Sequence, residues 1–418
     1  MTAWAPAPRS DVALGIHAAA EAERAANPEP FRLGAEAVDA VVDRATNGEG
    51  PAGLGDQADW RCGLEQYLAS AQEDGRLNAL GARMAHESAV SRLTARLEMN
   101  RYFEAHPGLS DRQLAAPIVI IGGWRTGTTY LFRMMATDLR LRAPLPVELI
   151  APWQTAALDP GEREAHIDAS AVGHDMLHML NPEIAIVHDS GARLPEECVL
   201  GMGTTLRNWA FSSNTRLDSY AEWLAGQSFA TEYAQHRRNL VVLDDGDGRR
   251  WLLKAPAHTA ELDHLAATYP GACIVHLHRD IVETVTSGAS LFATFRSTYS
   301  DHVDGHDVGR FQTEQTELWL RRALAFRDSP AAATVTCIDI DYTDLVADPE
   351  AVLRRVYTAA GLDLPDTAAM INNHHRTQPR NAKGTHRYRP EAFGIDADTL
   401  RERMTFYTQR IPSSNGRP

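Results

Sequence analysis

The sequence predicts an α/β protein, a parallel sheet flanked by helices and preceded by a helical N-terminal region. Three observations carry that expectation. Residues 1–110 lack β-like runs and place their apolar residues at helical spacing among Ala, Glu and Arg. From Pro117 to about Asp341, short apolar runs alternate with longer helical stretches, the pattern of strands joined by crossover helices. The first of those runs enters a turn rich in Gly and Thr that opens directly into a helical segment.

The elements follow in order. Periodicity predicts helices over Asp11–Ala26, Gly34–Thr46, Asp59–Glu73 and Leu80–Glu104, with His106–Ala116 as the connection onward. Predicted strands are Pro117–Ile121, Trp251–Leu253, Cys273–Leu277 and Val335–Ile340, with Ile184–Val187 as a further short run of strand type. Predicted helices lie at Tyr130–Thr137, Tyr220–Val241, Thr259–Thr268, Val282–Phe292, Gln312–Phe326 and Pro349–Ala360. The chain thus divides into a helical region, 1–110, and an α/β domain, 111–418. The domain contains a helical insertion at about 147–243 and a basic tail at about 372–418.

Composition narrows the function. With 418 residues, 44% apolar and 23% charged, the chain can bury a large core. A formal net charge of −14 argues against a nucleic-acid partner, which needs clustered Lys and Arg to neutralise phosphates. The four cysteines are scattered without a CxxC pair and read as reduced core residues. No window approaches the ~18 continuous apolar residues of a membrane span, and no signal-peptide pattern opens the chain. The expected location is the cytoplasm, and a homodimer is left open.

Three stretches carry chemistry. In Pro117–Tyr130, Gly122 and Gly127 have the spacing of a Walker A phosphate loop, but Thr128 stands where that motif has Lys. Backbone N–H groups, the helix N-terminus and the Thr128 and Thr129 hydroxyls would face an anion, and Arg125 is the loop's cation. This makes the predicted sheet P-loop-like. The second stretch, Trp251–His258, ends a buried-type strand at Lys254, whose ammonium would emerge at the ligand edge and meet charge on a leaving oxygen. In the third, Arg279 and Asp280 follow the strand Cys273–Leu277, and Ser287 lies eight residues beyond Arg279, about two turns into the next helix. Arg279 and Ser287 could grip a second phosphate. Each stretch has a blander reading: a turn glycine, a surface lysine, an Arg–Asp ion pair.

Together, in this order, these motifs resemble the PAPS-dependent sulfotransferases, particularly their bacterial (actinobacterial) branch; PAPS is 3′-phosphoadenosine 5′-phosphosulfate. The resemblance runs over roughly residues 117–390 and includes Tyr269-Pro270 and the tail Asn381–Gly394. It implies an enzyme that moves a sulfuryl group from PAPS to a hydroxyl, or an amine, of a small-molecule or lipid acceptor, without a metal. It implies that Arg125 contacts the 5′-phosphosulfate and that Thr126, Gly127, Thr128 and Thr129 form the cradle. Tyr130 would contact adenine, Arg279 and Ser287 the 3′-phosphate, and Lys383 and Gly384 would close over that phosphate. Arg125 and Lys254 would take the place of the absent Walker lysine. The chain departs from the family pattern at Trp124 and Ile281, where Pro is usual, and at Ala382, where some relatives carry Arg.

Transfer to a hydroxyl also needs a base. Glu148, in Arg142-Ala-Pro-Leu-Pro-Val-Glu148, and His258, four residues beyond Lys254, are the two candidates, with Glu196 and Glu197 as further carboxylates near the acceptor. His174 and His178 have the spacing of a zinc pair but lack its Glu, and Asp244–Gly248 reads as a polar turn and not a calcium loop. Met202, Trp209, Phe211, Trp223 and Phe229 suit either a hydrophobic acceptor site or the core of the insertion. Two alternatives stay open: a P-loop-type kinase or phosphotransferase using Mg-ATP, and a nucleotide-binding protein without turnover.

Overall fold

The computed structural model describes residues 3–378 and 388–411. Five parallel strands form one sheet in the order β2-β3-β1-β4-β5. They are β1 Ile118–Gly122, β2 Leu141–Arg142, β3 Arg250–Lys254, β4 Cys273–His278 and β5 Thr336–Asp341. Every residue of β1 and β4 is buried, as expected of strands covered on both faces.

Alternation along β1 assigns its side chains to two cores. Ile118 and Ile120 join Leu252, Val275 and the helix Pro349–Ala360 on one face, while Val119 and Ile121 join Leu253 and Ile274 on the other. The second core also takes in the N-terminal helices α1 Asp11–Ala26, α2 Val38–Ala45, α3 Gln57–Glu73 and α4 Ala79–Ala105, through Ala20, Val41, Trp60, Tyr67 and Leu97. Side chains start three of these helices: Ser10, Asp56 and Asn78 accept from the N–H groups of Ala13, Ala58 and Gly81.

The insertion departs from expectation in several places. Ile184–Val187 is part of a helical turn, Glu183–Val187, because Asn181 Oδ1 accepts from Glu183 N at 3.2 Å behind Pro182 and starts a helix. The predicted helix Tyr220–Val241 is two helices, Asp218–Ala225 and Ala230–Leu243, broken at Gly226. Trp209, Phe211, Phe229 and Met202 are core residues, and Trp209 stacks on Phe229 with their planes 3° apart. The cavity beside them, bordered also by His258, measures ≈ 10 Å³, space for about one water. Cys198 and Cys273 are buried, but Cys62 is exposed on the outer face of α3. The turn Asp244–Gly248 is tied by arginines: Asp244 to Arg112, Asp245 to Arg142 and Asp247 to Arg249. No helix among the described residues is long and apolar enough to cross a membrane.

Candidate active site

The site forms where β1, β3 and β4 end together. Register places Lys254 of β3 beside Ile120 and Leu277 of β4 beside Gly122, so the segments leaving all three strands meet at one edge. The segment after β1 runs into helix α5, Thr128–Met135, and β1 is the strand from which later strands add on both sides. This is the crevice where open parallel sheets bind ligands.

The loop is shaped before anything binds it. Gly127 is left-handed (φ 92°), and a Cβ there would lie 2.8 Å from Leu345 Cδ2, so the loop presses on the segment after β5. Arg125 is also left-handed (φ 61°), a conformation that a non-glycine residue rarely takes without cause. Its side chain is exposed, while Thr126 between the two is buried and donates to Gly123 O at 2.8 Å. Trp124 anchors the loop from behind by donating its Nε1–H to Gln312 Oε1 at 2.8 Å and standing edge-on to Phe292. A large side chain at that position is therefore a packing element of this chain. No side chain caps the N-terminus of α5, which leaves its first-turn N–H groups facing the loop's opening.

Lys254 is the deepest cation. Its side chain is 1% exposed, yet Nζ reaches Thr129 Oγ1 at 3.2 Å and Glu197 Oε1 at 2.7 Å. An ammonium that deep needs a partner. Glu197 supplies it from the strand-like stretch before the turn Cys198–Gly201. The neighbouring Glu196 accepts from Glu197 N at 2.9 Å and faces His188 Nε2 at 3.3 Å. Burial would raise the Glu196 pKa, but His188 and Lys254 outweigh it and hold the carboxyl down at about 2. Burial would lower the His188 pKa, but Glu196 outweighs it and the net direction is upward.

Arg279 comes from the end of β4. Its guanidinium lies over the Tyr342 ring at 4.2 Å, donates to Arg125 O at 3.0 Å and pairs with Glu283. Asp280 is not its ion-pair partner; it caps the helix Ile281–Tyr299 by accepting from Val282 and Glu283 N–H, both at 3.0 Å. Ile281, in place of a proline, starts that helix and is buried in a core with Phe292. Ser287 lies buried two turns along the same helix, between Thr284 and Gly288, which press on Gly123 and Trp124 of the loop.

The remaining predicted residues have these partners. Tyr130 directs its hydroxyl to His375 Nε2 at 3.1 Å and its ring edge to His374. Glu148 spends one oxygen on Arg142, at 3.3 Å, and the other on the Leu145 N–H, at 2.8 Å, closing the helix Pro146–Ile150. It makes no hydrogen bond to Lys254. His258 is 1% exposed, with Nδ1 on Tyr233 Oη at 2.7 Å and its pKa pushed down to about 3 by burial and by His236. His174 lies on the helix Ala171–Leu180 with Nδ1 3.3 Å from Ser190 Oγ. Lys383 and Gly384 lie outside the described residues. Sequence reasoning did not single out His188, which the structure places beside Glu196. Its signal was a histidine eight residues before Glu196 in a polar linker.

A sequence model of the Sulfotransferase family matches residues 117–366. The chain belongs to the sulfotransferase family. It is 26% identical over 277 residues to the omega-hydroxy-beta-dihydromenaquinone-9 sulfotransferase Stf3 of Mycobacterium bovis and of Mycobacterium tuberculosis. That alignment covers 59% of this sulfotransferase and 63% of each relative, less than two thirds of their length. The structure of sulfotransferase STF1 from Mycobacterium tuberculosis H37Rv superposes with a TM-score of 0.73 at 29% identity, over 88% of this chain and 98% of that one. STF9 from Mycobacterium avium shares the fold with a TM-score of 0.76 at 22% identity, over 90% and 97% of the two chains. The P-loop-like sheet with flanking helices is therefore the sulfotransferase fold, and the residues at its ligand edge belong to a sulfotransferase.

Proposed function

We propose that this sulfotransferase uses PAPS as donor and a hydroxyl, or an amine, on a small-molecule or lipid compound as acceptor. The observation that carries the reading is the convergence of three cations from three segments. Lys254 is buried against the first turn of α5, Arg125 is carried by the loop, and Arg279 bonds that loop from the next strand. The uncapped first turn and the left-handed Gly127 fit a phosphate group, and Arg279, which donates to Arg125 O of the loop, is the cation we assign to a second phosphate. When bound, PAPS would supply a sulfuryl group and a phosphate leaving group. Arg125, Thr126, Gly127, Thr128, Thr129 and Tyr130 would hold its 5′ side and adenine, Arg279 and Ser287 its 3′-phosphate, and Lys383 and Gly384 would close over it.

Lys254 and Arg125 would stabilise negative charge growing on the departing oxygen, a role that side-chain cations fill in a water-poor site. The relatives named omega-hydroxy-beta-dihydromenaquinone-9 sulfotransferases support a hydroxyl as the acceptor group. The free cysteines fit a reaction run in the cytoplasm. Calorimetry with adenosine 3′,5′-bisphosphate (PAP) tests the reading. Micromolar or tighter binding by the wild-type protein is expected. Tight Mg-ATP binding with no response to PAP would instead point to phosphoryl transfer.

A further inference from the structure

Sulfuryl transfer to a hydroxyl leaves a proton to be removed, and the carboxylates near Lys254 are poorly placed to take it. Glu196 is held ionised at about 2, and Glu197 Oε1 is committed to Lys254 at 2.7 Å. Both oxygens of Glu148 are engaged, and His258 is sealed in the core beside Cys198 and His236. His188 differs from all of these. Its side chain is 29% exposed, it stands edge-on to Phe295 at 6.1 Å, and it shares its immediate charged surroundings with Glu196, Glu197, Lys254 and His174.

The tautomer follows from the partner. An ionised carboxylate only accepts, so Nε2 carries the hydrogen given to Glu196 Oε2, and the lone pair of neutral His188 resides on Nδ1. Nδ1 makes no hydrogen bond to any described residue. A histidine with one nitrogen fixed by a buried carboxylate and the other open is the arrangement of an activating base.

We propose that His188, oriented by Glu196, takes the hydroxyl proton of the acceptor in this site. The proposal rests on the donor reading above. The acceptor oxygen forms its bond to sulfur as its O–H bond breaks, and the proton passes to His188 Nδ1. The bond between sulfur and the 5′-phosphate oxygen breaks, and that oxygen leaves with the electron pair next to Lys254 and Arg125. His188 then returns the proton to solvent through its exposed edge. Glu196 acts as a positioning residue, and Glu197 keeps Lys254 aimed at Thr129.

The test uses the full chain in three measurements: calorimetry with PAP, the pH dependence of turnover with PAPS and 2-naphthol, and a histidine-selective NMR titration of His188. For the wild type, kcat/KM is expected to climb along a single acid limb above pH ~6.5, the direction set by the carboxylate beside the imidazole. His188→Gln should lower kcat at least ~100-fold at pH 7 and remove the limb while PAP affinity stays within about twofold. Glu196→Gln should move both the limb and the His188 titration to lower pH, which a merely structural carboxylate would not do. A His188→Gln enzyme that keeps the wild-type rate and limb overturns the proposal, as does a Glu196→Gln protein whose His188 titration is unmoved. Should His188→Gln fail to fold, the titration of Glu196→Gln decides. Absence of PAP binding to the wild type overturns the donor reading and this proposal with it, whereas PAP binding with an unchanged limb sinks the base alone.

Discussion

At the scale of single residues, the site depends on where charges leave the sheet. Lys254 sits at the last position of β3, so the strand's own geometry carries its ammonium to α5. On the proposed donor reading, Lys254→Ala is expected to cut kcat by roughly 10²–10³-fold, with PAP affinity changed less than tenfold, because a cation beside the 5′-phosphate oxygen counts most while negative charge grows on it during departure. Steady-state kinetics and calorimetry on the same variant check both halves. Arg279→Ala should show the reverse weighting and weaken PAP binding by about 10–100-fold, as expected for a lost charge-assisted contact. A calorimetric titration showing unchanged affinity would remove Arg279 from the donor site. The positions of these residues at the sheet edge were legible in the sequence, because strand ends and a glycine loop fix them within a few residues of chain. His188 was not legible as a base. Its chemistry depends on Glu196 being folded back onto it, and on the competing Glu148 and His258 being bonded or buried, which are facts of packing that the spacing of residues does not encode.

At the scale of elements, the four long strands appear within one or two residues of the apolar runs that announced them: β1, β3 and β4 have buried apolar centres, and the edge strand β5 shows only an alternation of Ile and Asp around one buried residue, Ile340. The two-residue β2 carried no such signal; Arg142 earns its place by lying over the Trp251 ring at 4.9 Å and pairing with Glu148. Ile184–Val187 shows the opposite failure, an apolar run too short to distinguish strand from helix, settled by the Asn181 side chain. How the N-terminal helices dock was equally hidden. Gly81 of α4 lies so close to the end of the helix Ile281–Tyr299 that a Cβ would stand 2.1 Å from Tyr299 O, a contact fixed nearby by Asn78 N donating to the same oxygen at 3.0 Å. Gly81→Val should therefore destabilise the protein by at least ~1–3 kcal/mol, since backbone cannot yield as a side chain can. Gly15, exposed on α1 with open space around its Cα, is the control: Gly15→Ala should be neutral or stabilising by up to ~1 kcal/mol. Urea unfolding of the two variants side by side measures the contrast, and equal midpoints would refute the docking argument.

At the scale of the whole molecule, one core joins α1–α4, the insertion and a face of the sheet, and it contains imidazoles whose burial disfavours their charged form. His236 and His258 are both about 1% exposed; burial lowers the first to about 4, and burial together with His236 lowers the second to about 3. Each leans on a tyrosine, Tyr269 and Tyr233, within the same core as Trp60 and Tyr67 of α3. Their folded pKa values lie below the unfolded value of about 6.5, so as pH falls through 6.5 the unfolded chain binds protons that the folded chain refuses. Stability is then lost from pH ~6.5 down to about 3–4, at up to roughly 1.4 kcal/mol per pH decade for each imidazole. Glu196 adds a loss at lower pH: its depressed value stabilises the fold above about 4.5, and that contribution disappears as pH falls towards 2. Because the core is shared, the helical region and the sheet should respond together in one transition. His258→Gln removes one refusing group and a bond to Tyr233. The variant should melt lower than the wild type at pH 7.5 but lose less stability between pH 7.5 and 5, bringing the two melting curves closer as the solution is acidified. Calorimetric scans at the two pH values decide the matter: parallel losses in wild type and variant would show that His258 is not among the groups that make this fold acid-sensitive.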